Sequence, residues 1–328
     1  MKHLFKTVAS ALLLSAAAST ASAEEFKFAS FTPPQHTVTA SVMDKLGADL
    51  SAATEGALTV KNYVGGELGK GPVEQYVRVV QGAADMAWGL QGYTSSQFPK
   101  TMLAELPGSV KEGMSGYDML WNAYDEHLAS EYPGTKPVAL WLSEPNIIIM
   151  KDKNIEKPAD MDGLKIRVAG TVAADVVKAL GATPVQMPIT QVYNALQTGL
   201  IDGIITGASA VADFKLHEVA NSYTLGAPLG RIAFFAVMNK AKYDALPDDQ
   251  KEALDDVTGR SLSKSGEDAW NARADAAIAD LKADSAKKVI ELTEDGIKAF
   301  ADVTMPVATA VIESVDGGAE ALAAMQGN

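Results

Sequence analysis

From Phe26 onward the chain switches repeatedly between apolar spacing of two and apolar spacing near 3.6, and each switch marks an expected strand or helix. Phe26, Phe28 and Phe31 open with near period-two spacing, which predicts an edge-to-core strand. Val42, Leu46, Leu50 and Ala53 then recur at helical spacing within 38–53. A strand over 58–63 follows, then a Gly-rich turn and a helix carried by Val73, Tyr76, Val77 and Val80. Residues 84–88 give a third short strand. Three strand–helix steps in succession predict a mainly parallel sheet flanked by helices.

The alternation resumes in the middle of the chain. Residues 138–142 and 147–150 predict two strands parted at Pro145. A strand over 164–168 leads into a helix over 172–180, a second helix over 192–200, and a strand over 201–205. Residues 234–238 give one more strand. From Pro247 to about Leu292 the pattern turns helical, with Asp248 and Asp249 well placed at the positive end of the helix dipole. A helical stretch that long suits an element lying across two lobes.

Composition changes the picture at the N-terminus first. Lys2, His3 and Lys6 form a basic head, residues 8–18 an apolar run, and Ala21-Ser22-Ala23 a small-x-small site ahead of Glu24. That order defines a secretory leader with cleavage after Ala23, and the apolar run is shorter than the roughly 20 residues of a spanning helix. Nothing later is long and apolar enough to cross a bilayer. There is no cysteine, so an exported product has neither disulfides nor a lipidated N-terminal cysteine and depends on its own core. The length favours two domains, although length alone leaves a single large one open. Net charge is −13, or −15 without Lys2 and Lys6, which argues against nucleic acid or anionic lipid as partners. A bound anion must therefore be held by a local positive group against an unfavourable overall field.

Enzyme chemistry lacks an anchor. His36, His127 and His217 are scattered without metal-ligand spacing, no nucleophile elbow occurs, and a thiol nucleophile is impossible. No metal and no cofactor is implied. The 65–71 glycine run fails the phosphate-loop pattern, since Val64 stands at the first glycine position and Gly71 at the hydroxyl position, so a tight turn into a helix begun by Pro72 is expected. The Asp160-Met161-Asp162-Gly163 run has Thr171 where a calcium loop needs its closing glutamate. Arg167 differs from all of these. A guanidinium inside the apolar strand Leu164-Lys165-Ile166-Arg167-Val168 needs a charged or multidentate partner. The residues alone leave two options, a ligand's carboxylate or sulfonate and a structural ion pair.

The block Asp162-Gly163-Leu164-Lys165-Ile166-Arg167-Val168, followed by Leu180-Gly181-Ala182-Thr183-Pro184-Val185 and by 191–203 (Gln-Val-Tyr-Asn-Ala-Leu-Gln-Thr-Gly-Leu-Ile-Asp-Gly), resembles the extracytoplasmic solute-binding proteins of TRAP transporters. Gly66-Glu67-Leu68-Gly69, 81–86 and Leu246-Pro247-Asp248-Asp249-Gln250 fit the same resemblance, which spans nearly the whole chain after the leader.

The resemblance implies an α/β periplasmic-binding-protein fold: two lobes joined by hinge strands, a long helix crossing both, and closure on ligand by hinge motion. The implied division is 24–144 plus 232–272 for one lobe and 145–231 plus 273–328 for the other, after a leader at 1–23. Arg167 falls on the family's carboxylate-pairing arginine. Thr206 stands where the family often has asparagine, which removes a direct amide contact there. By location, the pocket is expected to draw on Phe31, Thr32, His36, Trp88, Gln91, Trp141 and Asn146, since ligands sit at the carboxyl ends of strands in open α/β sheets. Arg231 is open between a second anion ligand and a hinge salt bridge.

The resulting expectation is a monomeric periplasmic capture protein for a small organic anion. That anion is a carboxylate (aromatic, hydroxy or keto acid, or dicarboxylate) or a sulfonate, handed to the small and large membrane subunits of an importer. A periplasmic lyase or hydrolase on an organic acid and a ligand-presenting sensor are the rival readings.

Overall fold

The computed structural model describes residues 23–328, so the expected leader and its cleavage site lie outside or at the edge of the described residues. Eleven strands among these residues form two sheets. The first has the order β2-β1-β3-β10-β4, with β1 at Glu24–Ala29, β2 at Leu58–Tyr63, β3 at Met86–Leu90, β4 at Thr135–Leu142 and β10 at Ala233–Asn239. The second has the order β11-β9-β5-β8-β6-β7, with β5 at Asn146–Met150, β6 at Lys165–Val168, β7 at Thr183–Gln186, β8 at Gly203–Gly207, β9 at Ser222–Leu225 and β11 at Lys288–Glu291. The helices are α1 (Lys45–Ala53), α2 (Gln75–Val80), α3 (Gly116–Ala123), α4 (Thr171–Ala179), α5 (Val192–Thr198), α6 (Ser209–Asp213), α7 (Lys240–Asp244), α8 (Asp248–Val257), α9 (Arg260–Ala283), α10 (Glu294–Ser314) and α11 (Gly318–Met325). The architecture is two α/β lobes, as the alternating pattern predicts.

Alternation along the strands feeds two cores on opposite faces of each sheet. In β10, Phe234, Ala236 and Met238 join one apolar cluster while Ala233, Phe235 and Val237 join another. In β5, Ile147 and Ile149 join the first of these clusters and Ile148 and Met150 a third. The first cluster therefore runs continuously between the two sheets. Within β6, Ile166 and Val168 lie in the third cluster, so Arg167 between them points to the opposite face, toward the space between the sheets.

Each sheet is mainly parallel but takes one antiparallel strand from a crossover. The link 143–145 carries the chain from β4 into β5, which runs antiparallel to β8 and β9. The link 226–232 returns it to β10, antiparallel to β3 and β4. The two links are bonded side by side: Ser143 N donates to Ile232 O at 2.8 Å, Ile232 N to Ser143 Oγ at 2.9 Å, and Asn146 N to Gly230 O at 2.9 Å. Gly230 has φ +75°, and a Cβ there would lie 1.9 Å from the Glu105 carbonyl oxygen, so only glycine fits.

The helical stretch expected from Pro247 onward divides into α8, α9 and the strand β11. It breaks at Thr258-Gly259, where Gly259 takes φ +63°. At 24 residues α9 is about 36 Å long. Its N-terminal half packs on β4, where Gly266 brings the helix against the Trp141 ring, and its C-terminal half packs on α6. A third crossing between the sheets is thus helical. The final helix α11 returns to pack on α3. Two local expectations fail. Val73, Val77 and Val80 form an exposed stripe while Tyr76 and Val79 are buried, because α2 is only 6 residues long and docks by its other face. Pro72 stands before a turn rather than at the first helical position. The short strands β7, β9 and β11, and α3, α10 and α11, carry too little distinctive periodicity to be read in advance.

Two buried carboxyls sit at the crossovers. Glu105 is pushed up to about 8 and Glu144 to about 7, in both cases chiefly by loss of water on burial. Glu105 Oε1 accepts from Ala233 N at 2.9 Å and Glu144 Oε1 from Ser209 N at 2.7 Å. Both bind a proton more tightly folded than unfolded. Their contribution to stability is complete below about pH 4.5 and is lost as the pH climbs through about 7 and about 8. The melting temperature should therefore fall between pH 5 and pH 9. Glu105→Gln, which keeps the acceptor for Ala233 N–H, should flatten that decline, and an unchanged slope would show that Glu105 is not protonated in the fold.

Candidate functional site

A cavity between the two sheets is lined from both sides. Phe31, His36, Trp88, Tyr93 and Phe234 come from the first lobe, Arg167, Ile189, Thr206, Ser209, Asp213 and Phe214 from the second, Ser143 from a crossover and Trp270 from α9. Its volume is about 40 Å³, counted as room for the centre of a water-sized sphere. Taken as a sphere, that is roughly 180 Å³ between atomic surfaces, the size of cavity that accommodates one aromatic ring.

Arg167 is 1% exposed. Its Nε donates to the Met187 carbonyl at 2.9 Å, which fixes the plane of the guanidinium, and the Tyr93 side chain lies beside it. Among the described residues no carboxylate lies within ion-pair distance of it, and Nη2 is buried without a hydrogen-bond partner. Burial pulls the guanidinium below its ordinary pKa, against a smaller raising influence of the Tyr93 side chain, the direction expected of a cation stripped of water. Such a group is costly unless an anion meets it. Thr206, 4% exposed, adds a hydroxyl from β8, the strand paired with β6.

The opposite chemistry lines the rest of the cavity. Phe31 stacks on Trp88 with ring centres 4.8 Å apart, and the Trp88 indole is oriented by a 2.9 Å bond from Nε1 to Ser30 Oγ. Trp270 meets Trp88 and Phe234 at 6.1 and 5.2 Å. Ring faces and edges of this kind suit an apolar planar guest.

His36 is buried among these rings, and its Nδ1 accepts from Val38 N at 3.1 Å, so the ring proton sits on Nε2. Burial lowers its pKa to about 4, against the raising influence of Asp213. At 3.6 Å from Asp213 Oδ2, this neutral ring is neither hydrogen bonded to the carboxylate nor in an ion pair with it. Asp213 belongs to a clasp between the lobes: Oδ2 accepts from Thr37 Oγ1 at 2.8 Å and from Thr37 N at 3.4 Å, and Oδ1 from Arg273 Nε of α9 at 3.0 Å.

Of the residues expected from the sequence, Phe31, His36, Trp88, Arg167 and Thr206 line this cavity and five do not. Gln91 is fully buried and donates to the Tyr132 hydroxyl at 3.0 Å, because the chain turns away directly after β3. Trp141 faces the core, stacked on Phe234 at 5.4 Å under α9. Asn146 is turned toward the return link, with a bond to Leu229 O at 3.4 Å. Arg231 donates to Ser143 O at 3.0 Å with Glu144 and Glu267 nearby, a crossover position outside the lining. Thr32 is bonded to Ser30 beneath the cavity wall. Tyr93, Asp213, Phe214, Phe234 and Trp270 were missed. Asp213 in an acidic chain and Trp270 on an amphipathic helix carry no local mark of a site.

Residues 28–314 match the family of bacterial extracellular solute-binding proteins, family 7. The chain belongs to this family. Its members are the periplasmic binding components of TRAP transporters rather than enzymes. A solute-binding protein of Albidiferax ferrireducens is 27% identical over 80% of this chain and 77% of that one. A TRAP solute-binding protein from an unidentified marine microbe, specific for aromatic acids and crystallised with 3-hydroxybenzoate, is 28% identical, with TM-score 0.85 over 93% of this chain and 98% of that one. Another from Rhodoferax ferrireducens, in complex with co-purified benzoate, is 26% identical, with TM-score 0.84 over 92% and 96%.

The lobes meet around the cavity through very close backbone contacts. A Cβ on Gly170, at the start of α4, would lie 2.9 Å from the Gly92 Cα of the other lobe, and Tyr93 Oη accepts from Ile189 N at 3.0 Å. Gly170 has extended backbone angles open to any residue, so a side chain there obstructs only the meeting of the lobes. Gly170→Val should weaken ligand affinity by about ten-fold or more while leaving far-ultraviolet circular dichroism unchanged. Undiminished affinity would mean that the seam need not close.

Proposed function

We propose that this solute-binding protein captures a compact aromatic monocarboxylate and delivers it to the membrane subunits of its transporter. Export with cleavage after Ala23 would put it in the periplasm, where that solute arrives. The observation that carries the reading is the buried Arg167 guanidinium, fixed by one bond and short of an anionic partner, at the edge of a space walled by aromatic rings. A carboxylate would take the free Nη2 and the hydroxyl of Thr206 while the ring lies among Phe31, Trp88, Phe214 and Trp270. The cavity's small volume favours one ring over a larger acid. The aromatic acids held by the two solved structures above, similar at 26–28% identity, support the same class. Binding would draw the lobes together about the two bonded links 143–145 and 226–232.

The test is a thermal-shift and calorimetric series of benzoate, phenylacetate and their ring-substituted relatives, against hexuronates, aliphatic dicarboxylates and neutral sugars. A true ligand at 100 times its Kd should stabilise by about 2.7 kcal/mol. Arg167→Ala should lower affinity by at least about 30-fold, and Arg167→Lys, which offers a point charge without the planar fork, should recover only part of it. Binding confined to neutral compounds, or an Arg167→Ala variant that binds normally, would overturn the reading.

A further inference from the structure

We propose that His36 and Asp213 form a hydroxyl-recognition pair in the cavity wall, so that the preferred ligand is a hydroxylated aromatic monocarboxylate. This deepens the aromatic-carboxylate reading and rests on it.

The argument begins with unspent hydrogen-bonding capacity. With Nδ1 accepting from Val38 N, the His36 ring has a single proton, on Nε2, and at 3.6 Å the Asp213 oxygen is beyond hydrogen-bond reach. The other groups around the ring are Trp88, Phe214 and Trp270, with centres 5.2–5.6 Å away, and none of them is positioned as an acceptor. This donor on a cavity-lining ring therefore has no hydrogen-bond partner among the described residues. Asp213 has the matching deficit. A carboxylate offers about four acceptor positions, and Thr37 N, Thr37 Oγ1 and Arg273 Nε use three.

One donor without an acceptor, beside one acceptor position without a donor, is the complement of a hydroxyl group. Its oxygen accepts from His36 Nε2–H and its proton goes to the open acceptor position of Asp213, on Oδ1, since Thr37 N and Thr37 Oγ1 already occupy Oδ2. An ether accepts but does not donate, and a second carboxylate on the ligand would face Asp213 in a site with little water to screen the repulsion. The neutral state of His36 matters here, because a charged imidazolium would need both ring protons and would forfeit the bond from Val38 N. The pair also lies on the clasp that joins Thr37 of one lobe to α6 and α9, so a hydroxyl held there would contact both sides of the closed cavity.

The experiment compares Kd values for benzoate and phenylacetate with their ortho-, meta- and para-hydroxy and methoxy derivatives, and with mandelate. The proteins are wild type, Arg167→Ala, His36→Asn and His36→Gln. Asparagine keeps an acceptor near the Nδ1 position for Val38 N but loses the Nε2 donor; glutamine restores an amide donor near Nε2. Wild type should bind at least one hydroxy acid about ten-fold or more tighter than its parent and methoxy analogue. In His36→Asn the hydroxy acid should lose about ten-fold more affinity than the parent acid, so that the preference vanishes, and His36→Gln should recover part of it. A parent acid bound as tightly as every hydroxy isomer would overturn the pair's role. So would equal weakening of both classes in His36→Asn, which would make the ring a wall and nothing more. If aromatic acids bind through Arg167 without hydroxyl preference, only this inference fails. If no aromatic acid binds, the parent reading fails and takes this one with it.

Discussion

A guanidinium held away from water, with no carboxylate among the described residues in reach, sets the conditions under which the rest of this molecule is arranged. Arg167 occupies the one position of β6 whose neighbours in the strand face the opposite core, and β8 pairs beside it to bring Thr206 to the same cavity. The unmet charge makes the folded cavity receptive to an anion despite a chain that carries −13 overall. At the range of a hydrogen bond in a dry site, one oriented cation outweighs a diffuse negative surface screened by salt. The aromatic walls serve the same end, since they exclude water that would otherwise compete for the guanidinium.

The crossovers explain how such a site can be both enclosed and reached. Two extended links, the helix α9 and the return of α11 onto α3 join the lobes, and the extended links are bonded to each other rather than to either sheet alone. Where the lobes meet at the cavity's edge, side chains are missing by design of the backbone path: Gly92 and Gly170 bring main chain against main chain. The Asp213 clasp and the Tyr93–Ile189 bond then hold the two sides in register. Few contacts of this kind, each made between opposite lobes, suit a joint that closes around a guest and releases it.

Buried acids recur at these joints. Glu267 of α9 accepts from Gly116 N, Tyr117 N and Leu142 N, tying the helix to the start of α3 and the end of β4, and burial raises its pKa against those bonds. Glu105 and Glu144 hold the return strand and α6 in the same way. In each case a carboxyl substitutes for backbone acceptors that strand and helix ends leave unmatched.

Most of the order of strands and helices, the two α/β lobes and the oddity of a guanidinium at Arg167 were legible in the amino-acid sequence, because each is written locally. Period-two runs such as those in β1 and β10, helical spacing in α1, and a guanidinium in an otherwise apolar strand need no knowledge of distant partners. The family block around Arg167 carried the same information. Tertiary structure alone decided which side chains meet in the cavity. Asp213 and Trp270 are far from Arg167 in sequence and reach it only because α6 and α9 pack together across the gap between the sheets. Gln91, Trp141, Asn146 and Arg231 lie at the strand ends and crossovers where a site is expected, yet a turn of the chain or one step of strand alternation points each of them elsewhere. Side-chain direction at the end of a strand depends on the packing of its neighbours, and that is set by the whole fold.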